Sequence, residues 1–412
     1  MSGIPGRRAW AGPAPVLFML AWGGNHFTPL LSIYEHEGPY DPWQANLLLG
    51  MYVAGLIPGL LVASALSDAY GRRPLVLAGA VAAVAGSAMI ATGLHLLPLL
   101  CAGRALAGVG VGIAMAVGTS WIKELSSPPF DRLDPRRPAR GAARASLTLT
   151  LGFGLGAGVT GALGQWAPAP TVTPFVVHGV LTLIALVPAA LAPESLTPQV
   201  REARRAAGPW WRDLRVPAAR HVRFRGVIAP LAPWVFAAAG VAYAIMPAVA
   251  QESLGESATI YATVLTVLTL GAGAATQNLV PWLNRRTGGR ANVIGLSGMS
   301  AGMVMACLAS LSGNPAFAFV VALVLGSSYG ICVLAGLIQV QAIAAPRDLA
   351  GLTGVYYSLT YVGFLLPALL AAALPFVPYA VSLAAVAGVC LATLGVVAWN
   401  NGRLHADGAE ST

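Results

Sequence analysis

Long apolar runs alternate with short polar stretches along the whole chain. Each run has about 20 residues, which is the length that an α-helix needs to cross the hydrocarbon core of a bilayer. The runs do not show the alternating pattern of the strands in a membrane β-barrel. The pattern therefore predicts an all-α membrane protein with twelve transmembrane helices, at 14–34, 43–66, 75–94, 98–121, 146–166, 174–192, 227–250, 258–282, 291–311, 315–341, 351–374 and 377–399.

The composition agrees with a protein whose solvent is lipid. Hydrophobic residues make up 57% of the 412 residues and charged residues only 9%, whereas soluble domains carry about 25% charged residues. The net charge of +9 does not indicate a nucleic-acid partner, because the basic residues are divided among short loops. The four cysteines lie far apart in apolar runs, so we predict no metal and no cofactor.

The positions of the basic residues predict the topology. Lysine and arginine are enriched in cytoplasmic loops, and here they precede the first helix, occupy every second loop and follow the last helix. The alternate loops carry only acids: Glu35, Glu37, Asp41, Glu252 and Glu256. We therefore expect a multi-pass protein of the plasma (inner) membrane with both termini in the cytoplasm. The acids would be solvated loop residues or, alternatively, proton acceptors at the outer mouth.

One polar stretch, at 194–226, divides the chain into two sets of six helices that resemble each other in sequence. The glycines of Arg104-x-x-x-Gly108-x-Gly110-x-Gly112 have the same spacing as Gly326, Ser328 and Gly330 in helix 10. Matched positions in two halves indicate structural repeats with a site between them. The predicted domains are bundles at 1–193 and 227–402, a cytoplasmic linker at 194–226 and a tail at 403–412.

Several of these segments together resemble the major facilitator superfamily over the whole chain. The sequence Ser64-Ala-Leu-Ser-Asp68-Ala-Tyr-Gly71-Arg72-Arg73 is similar to the family's signature loop, with serine in place of the first glycine. The segment Arg104–Gly112 is similar to its helix-4 motif, and Pro193-Glu194-Ser195 to the end of its helix 6. The resemblance implies two pseudo-symmetric six-helix bundles that rock around a central cavity.

Helix 5 resembles most closely the drug–proton antiporters of that family. It carries a run of glycines that includes Gly152 and Gly156, although Ala157 stands where those antiporters have proline. Close helix packing explains such glycines equally well. The resemblance implies a carrier rather than an enzyme, which we expect to export a hydrophobic or amphipathic molecule in exchange for protons, as a monomer in the lipid bilayer.

Arg104 is the most specific candidate for transport, because all other basic residues lie in loops or at helix ends. It lies about 9 Å into helix 4 at ~1.5 Å per residue. An ionisable residue inside the membrane is by default functional, although an arginine can also extend to the headgroups. His26, at a similar depth in helix 1, is the candidate for proton coupling. The alternative for His26 is a neutral, hydrogen-bonded core histidine.

The signature loop supplies the candidate gate residues. The resemblance implies that Asp68, with Arg73, latches the cytoplasmic gate, and that Ser64, Gly71 and Arg72 belong to the same motif. It also implies that helices 1, 4, 7 and 10 line the cavity, where we expect Trp22, Asn25, Met115, Trp234, Tyr243, Met246 and Tyr329. Aromatic and apolar walls with few polar groups suit an amphipathic solute.

Three alternatives stay open at the level of the sequence. An uptake symporter or uniporter for a small organic solute would have the same fold. A membrane-bound enzyme would need a reactive cluster such as His36 among Glu35, Glu37 and Asp41. A receptor without transport activity would have a filled cavity or a sealed mouth.

Overall fold

The computed structural model describes residues 8–131, 140–206, 208, 210–211, 216–345 and 348–409. These residues form helices and turns, with no β-strand among them. Twelve of the helices are long and apolar enough to cross a membrane, which confirms the predicted all-α architecture. We number them spans 1 to 12: Ala9–Glu35, Pro42–Tyr70, Arg72–Thr92, Leu97–Leu125, Arg140–Trp166, Thr173–Leu191, Phe224–Gln251, Gly255–Gln277, Ala291–Ser312, Pro315–Ile343, Gly351–Ala373 and Tyr379–Leu404.

The chain forms two compact units. Unit 1 consists of Met1–Phe27 and Met51–Arg215, and unit 2 of Thr28–Gly50 and Val216–Thr412. The division falls inside spans 1 and 2, because Thr28–Leu30 packs on spans 7 and 8. The predicted domain limits at residues 193, 226 and 402 stay predictions.

In unit 1, span 1 packs against spans 5 and 6, and span 3 packs against spans 4 and 6. In unit 2, span 10 packs against spans 8 and 9, and span 12 packs against span 9. The most apolar part of span 1 is 94% buried, whereas that of span 12 is only 22% buried. A helix that is apolar on all sides lies either inside a protein or against lipid, so span 1 is a core helix and span 12 presents most of its surface to lipid.

Span 1 is interrupted near its middle. Helix Ala14–Asn25 ends in a bend at His26 and Phe27, and the 3-10 turn Thr28–Leu30 leads into helix Leu31–Glu37. Pro29 has no backbone N–H to continue the hydrogen-bond ladder. Irregular backbone is tolerated within a membrane where it is buried in protein or lines a cavity. The break therefore directs attention to the residues around it.

Spans 4 and 7 contain π-helical segments. Ala114–Gly118 interrupts span 4, while Phe224–Ile228 and Val241–Ile245 interrupt span 7. Single π-helical turns inside α-helices occur frequently at functional sites. These segments contain Met115 and Tyr243, two of the residues predicted to line the cavity.

Candidate functional site

Arg104 is enclosed within unit 1, beside the break in span 1. Its side chain is only 1% exposed. The guanidinium carbon lies 5.0 Å from the ring centroid of Phe27 and 4.9 Å from that of Tyr52. An arginine in this position over aromatic faces gains cation–π attraction. Its burial shows that Arg104 does not extend to the headgroups in this structure.

His26 lies at the break itself and is completely buried. Neither of its ring nitrogens has a hydrogen-bond partner among the described residues. The ring makes edge-to-face contacts with Phe175 and His178, at centroid distances of 4.9 Å in both cases, and Arg104 is close enough to act on it electrostatically. Buried polar groups are hydrogen-bonded in most proteins, so His26 is a polar group available to a ligand or to water.

His178, which contacts His26, has partners at both nitrogens. Nε2 lies 2.9 Å from the carbonyl oxygen of Met19 and Nδ1 lies 2.8 Å from Oγ of Ser87. A carbonyl oxygen can only accept, so Nε2 carries a proton and a neutral ring accepts the Ser87 hydroxyl at Nδ1. His178 therefore connects spans 1, 3 and 6 as a structural residue.

The predicted cavity residues of unit 1 have different surroundings. The indole N–H of Trp22 donates to Oγ1 of Thr160 over 2.8 Å. Asn25 is 8% exposed, and Met115 is half-buried. Trp22 thus binds span 1 to span 5, and its indole N–H is already used within unit 1.

The glycines predicted to pack helices lie where another helix comes close. A Cβ on Gly152 would lie 2.5 Å from the carbonyl oxygen of Phe18, and one on Gly156 would lie 2.6 Å from Cγ of Trp22. In span 4, a Cβ on Gly110 would lie 3.0 Å from the carbonyl oxygen of Gly79. Packing between spans 1 and 5 therefore accounts for Gly152 and Gly156 without any role in antiport.

Two of the predicted residues of unit 2, Tyr243 and Tyr329, belong to an aromatic cluster. Tyr243 and Met246 are buried, and Trp234 and Tyr329 are half-buried. Phe236 contacts Tyr329, Tyr361 and Phe364 at centroid distances of 5.4, 4.2 and 4.7 Å. The sequence analysis missed Phe236 and Phe364. Phe236 could have been found, because it lies seven residues before Tyr243 and therefore on the same side of span 7.

The signature loop forms an ion-pair network that differs from the prediction. Asp68 pairs with Arg72 over 2.7 Å and not with Arg73. The Arg72 guanidinium also reaches both carboxylate oxygens of Glu124 in span 4, over 3.1 and 3.4 Å. Arg72 lies in the first turn of span 3, where side chains point back toward the helix N-terminus, and this direction brings it between spans 2 and 4.

Arg73 instead contacts the end of span 6. Its guanidinium donates to the carbonyl oxygens of Ala190 and Ala192 over 3.4 and 3.3 Å. Ser64 takes part only through its carbonyl oxygen, which accepts the hydroxyl of Ser67 over 2.9 Å. The predicted Asp68–Arg73 pair is therefore absent from this structure.

Glu194 closes the same network from the end of span 6. Its carboxylate accepts the backbone N–H groups of Arg72 and Arg73 over 3.0 and 2.9 Å. These N–H groups lie at the N-terminus of span 3, where donors lack intrahelical partners and the helix dipole favours a negative charge. Gly71 has φ of +108°, and a Cβ there would lie 2.5 Å from Oε2 of Glu194, so only glycine fits at this turn.

Four of the predicted loop acids lie in helical segments: Glu35 and Glu37 in helix Leu31–Glu37, Glu252 in helix Met246–Leu254 and Glu256 in the 3-10 turn Gly255–Ser257. Glu35 lies in helix Leu31–Glu37 and is half-buried, and its carboxylate accepts the Asn46 amide over 3.2 Å. Glu35 also lines a small cleft of unit 2 together with Thr28, Ser32, Tyr243 and Gln251. The side chains of His36, Glu37 and Glu252 lie outside the described part of the chain.

Twelve spans, an interrupted first span and charged side chains buried beside that break define a polytopic carrier of the membrane. The profile of the Major Facilitator Superfamily matches residues 14–368. The chain belongs to that superfamily. It is therefore a multi-pass membrane protein of the transporter type.

Solved structures of the same fold cover almost the whole chain. A POT family transporter in complex with 5-aminolevulinic acid is similar with a TM-score of 0.75 and 10% identity, over 95% of each chain. The nucleoside transporter NupG is similar with a TM-score of 0.72 and 10% identity, over 95% of this chain and 98% of that one. At this level of identity the likeness shows the fold alone.

Curated relatives match shorter stretches. "Probable polyol transporter 3" of Arabidopsis thaliana is 36% identical over 84 residues, which are 20% of this chain and 16% of that protein. "Sugar carrier protein A" of Ricinus communis is 32% identical over 97 residues, which are 23% of this chain and 18% of that protein. The chain thus matches less than a fifth of the length of either relative.

Proposed function

We propose that the protein takes up a small, polar, uncharged organic solute by alternating access. The observation that carries the proposal is the buried polar pair at the break in span 1. His26 offers two ring nitrogens that have no hydrogen-bond partner in the described part of the chain, and Arg104 brings a positive charge close to it. A hydrophobic molecule would leave the His26 ring without a hydrogen bond, and a buried unpaired polar group is unfavourable by about 1–3 kcal/mol.

The relatives support a polar solute as well. Two of the proteins that resemble parts of this chain are named for polyols and sugars, and the structural relative NupG is named for nucleosides. Aromatic rings next to a few hydrogen-bonding groups are a usual environment for such ligands. The contacts of Phe27, Tyr52 and Phe175 with the pair provide that combination in unit 1.

Export of an amphipathic molecule against protons is the second candidate. His26 favours it, because a histidine at this depth can gain and lose a proton during transport. The glycines of span 5 give it less support than the sequence suggested, since Gly152 and Gly156 are required for close packing.

Solute counterflow into proteoliposomes distinguishes the two candidates. Proteoliposomes that contain the purified protein would be loaded in turn with sorbitol, inositol, glucose, uridine and the lipophilic cation tetraphenylphosphonium. The exchange of each compound for its labelled form outside would then be measured. We expect exchange of at least one of the four polar solutes, reduced more than about 10-fold in His26→Gln, which corresponds to about 1.4 kcal/mol. The exposed His95 gives the matched control His95→Gln, which should exchange normally. Exchange of tetraphenylphosphonium alone would contradict the proposal.

We propose further that the end carrying the arginine-rich loops faces the cytoplasm of the plasma membrane. The distribution of basic residues supports this orientation. In a variant without native cysteines, Glu256→Cys should react with a membrane-impermeant maleimide on intact cells, and Arg285→Cys should react only after the cells are opened. The reverse result would invert the topology. The predicted monomeric state stays a prediction.

A further inference from the structure

The cleft around Glu35 lies where two spans depart from regular α-helix. Thr28 belongs to the 3-10 turn that follows the break in span 1, and Tyr243 and Ala244 belong to the π-helical segment Val241–Ile245 of span 7. All residues that line the cleft belong to unit 2. In carriers, interrupted helices expose backbone carbonyl groups that coordinate small cations. The backbone at this cleft is therefore of the kind that forms ion sites.

The polar side chains that line the cleft supply oxygen atoms. Thr28, Ser32 and Tyr243 bring hydroxyl groups, Gln251 brings an amide, and Glu35 brings a carboxylate. No cysteine or histidine is among the described side chains that line the cleft. Oxygen ligands of this type suit hard cations and not the softer transition metals.

No basic side chain among the described residues forms an ion pair with Glu35. Among the described residues, the ion pairs involve Asp68, Glu124 and Asp131 but not Glu35, and the hydrogen bond of Glu35 comes from the neutral amide of Asn46. A half-buried carboxylate without a positive partner is unfavourable, because desolvation is not offset by attraction. A bound cation would supply that attraction.

The number of carboxylates and the size of the cleft restrict the ion. Glu35 is the one acid among the described side chains that lines the cleft, so a monovalent ion neutralises it, whereas Ca²⁺ sites commonly use several carboxylates. The cleft has a volume of about 10 Å³, about that of one water-sized sphere. A dehydrated Na⁺ is smaller than a water molecule and fits in the cleft. A dehydrated K⁺ is larger than Na⁺ and therefore fits less easily.

We propose that this cleft is a Na⁺ site and that Na⁺ is the coupling ion of the carrier. Na⁺ bound by Glu35 joins helix Leu31–Glu37 to span 7 within unit 2. Its coupling role rests on the proposed function in solute uptake, whereas its binding does not. The two statements can therefore fail separately.

Binding of radioactive Na⁺ to the purified protein tests the site directly. We expect saturable binding of one ion per chain, competed by unlabelled Na⁺ and not by choline or by K⁺ at equal concentration. Glu35→Gln should abolish binding, and Ser32→Ala should weaken it by about 10-fold, which is within the range found when groups around a bound metal are removed. The control is Glu256→Gln, because Glu256 is an exposed acid that does not line the cleft.

Stability measurements in NaCl and in choline chloride of equal ionic strength show whether Glu35→Gln is still folded. An ion that binds only the native state stabilises it by an amount that grows with the logarithm of the ion concentration once this exceeds the Kd, so NaCl should raise the unfolding midpoint of the wild type and leave that of a folded Glu35→Gln unchanged. If folded wild-type protein binds no Na⁺, or if Glu35→Gln binds Na⁺ normally, the site is wrong.

Flux measurements then separate the site from the coupling. Solute uptake that follows an imposed Na⁺ gradient supports the coupling role. Uptake that follows a proton gradient and ignores Na⁺ would overturn it, even if Na⁺ binds. If no polar solute is exchanged while Na⁺ binds through Glu35, the proposed function fails and the site remains.

Discussion

The contact of spans 2 and 4 in unit 1 and that of spans 8 and 10 in unit 2 have the same packing. A Cβ on Gly108 would lie 2.0 Å from the carbonyl oxygen of Tyr52, and one on Gly330 would lie 2.0 Å from that of Gly273. Gly112 and Gly326 have equally close neighbours, each at 2.5 Å from a carbonyl oxygen of the facing helix. Small residues allow such close approach of helices in membranes.

The two contacts differ in their chemistry. Arg104 stands four residues before Gly108, whereas Ala322 stands four residues before Gly326, and both side chains are buried. The repeat thus preserves the backbone contact, while the ionisable group occurs in one half. The difference indicates that close packing constrains both units equally, whereas the buried arginine at this contact is special to unit 1.

The largest effect on stability is expected at the two glycine contacts, and it tests whether the helices pack equally closely in both units. Gly108→Ala and Gly330→Ala should each lower the stability by about 3 kcal/mol, because the backbone of the facing helix cannot move as a flexible side chain would. The midpoint of thermal unfolding in detergent measures the loss. Gly154→Ala in span 5 is the control, since a Cβ there meets nothing within 4 Å. A loss of stability in only one of the two variants would show that the two contacts do not have the same packing.

The second largest effect is expected at Arg104, and it tests whether the buried arginine that only unit 1 has at this contact is needed for transport. Arg104→Gln should lower counterflow by about 100-fold, which corresponds to about 2.7 kcal/mol. Its unfolding midpoint should stay the same or rise, because a buried charge is removed. Arg140→Gln, at an exposed position, should exchange solute normally. A variant that loses stability and keeps the transport of its folded fraction would give Arg104 a structural role only.

A smaller effect is expected at the loops that precede spans 3 and 9. Arg72→Gln should lower the stability by about 2 kcal/mol, because Asp68 and Glu124 lose charge-assisted hydrogen bonds. The carboxylates are about one third exposed, so water compensates in part. Arg285→Gln in the corresponding loop of unit 2 should leave the unfolding midpoint unchanged, since Arg285 is exposed. Equal losses in both loops would show that the network is not special to unit 1.

The smallest effect compares the residues that cap these two spans. Glu194 lies at the distant end of span 6 and accepts two N–H groups of span 3. Asn284 lies in helix Val280–Thr287, just before span 9, and accepts the N–H of Ala291 over 3.2 Å. Glu194→Ala should lower the stability by about 1.5 kcal/mol and Asn284→Ala by about 0.5 kcal/mol. Differential scanning fluorimetry of the two purified variants gives the order, and the reverse order would contradict the role of the charge.

The residues near the break in span 1 show where sequence reasoning stopped. The depth of His26 and Arg104 could be counted along each helix, because helical rise is constant. The proximity of His178, and the hydrogen bonds that distinguish it from His26, could not be counted, because those hydrogen bonds join residues 91 and 159 positions apart. In the same way, the loop motif indicated a charged cluster, while the choice of Arg72 over Arg73 depended on side-chain direction.

The sequence by itself determined the twelve spans, because the length of an apolar run and the absence of charge are local properties that a bilayer requires. It also determined which residues were chemically unusual at their depth. Only the tertiary structure decided which of them share surroundings. The first helix of span 1 ends at Asn25, and Glu35 lines a cleft of unit 2 instead of lying in a loop. The Glu194 carboxylate accepts an N–H group of span 3. Such neighbours depend on helix contacts between distant segments, and a one-dimensional pattern does not contain them.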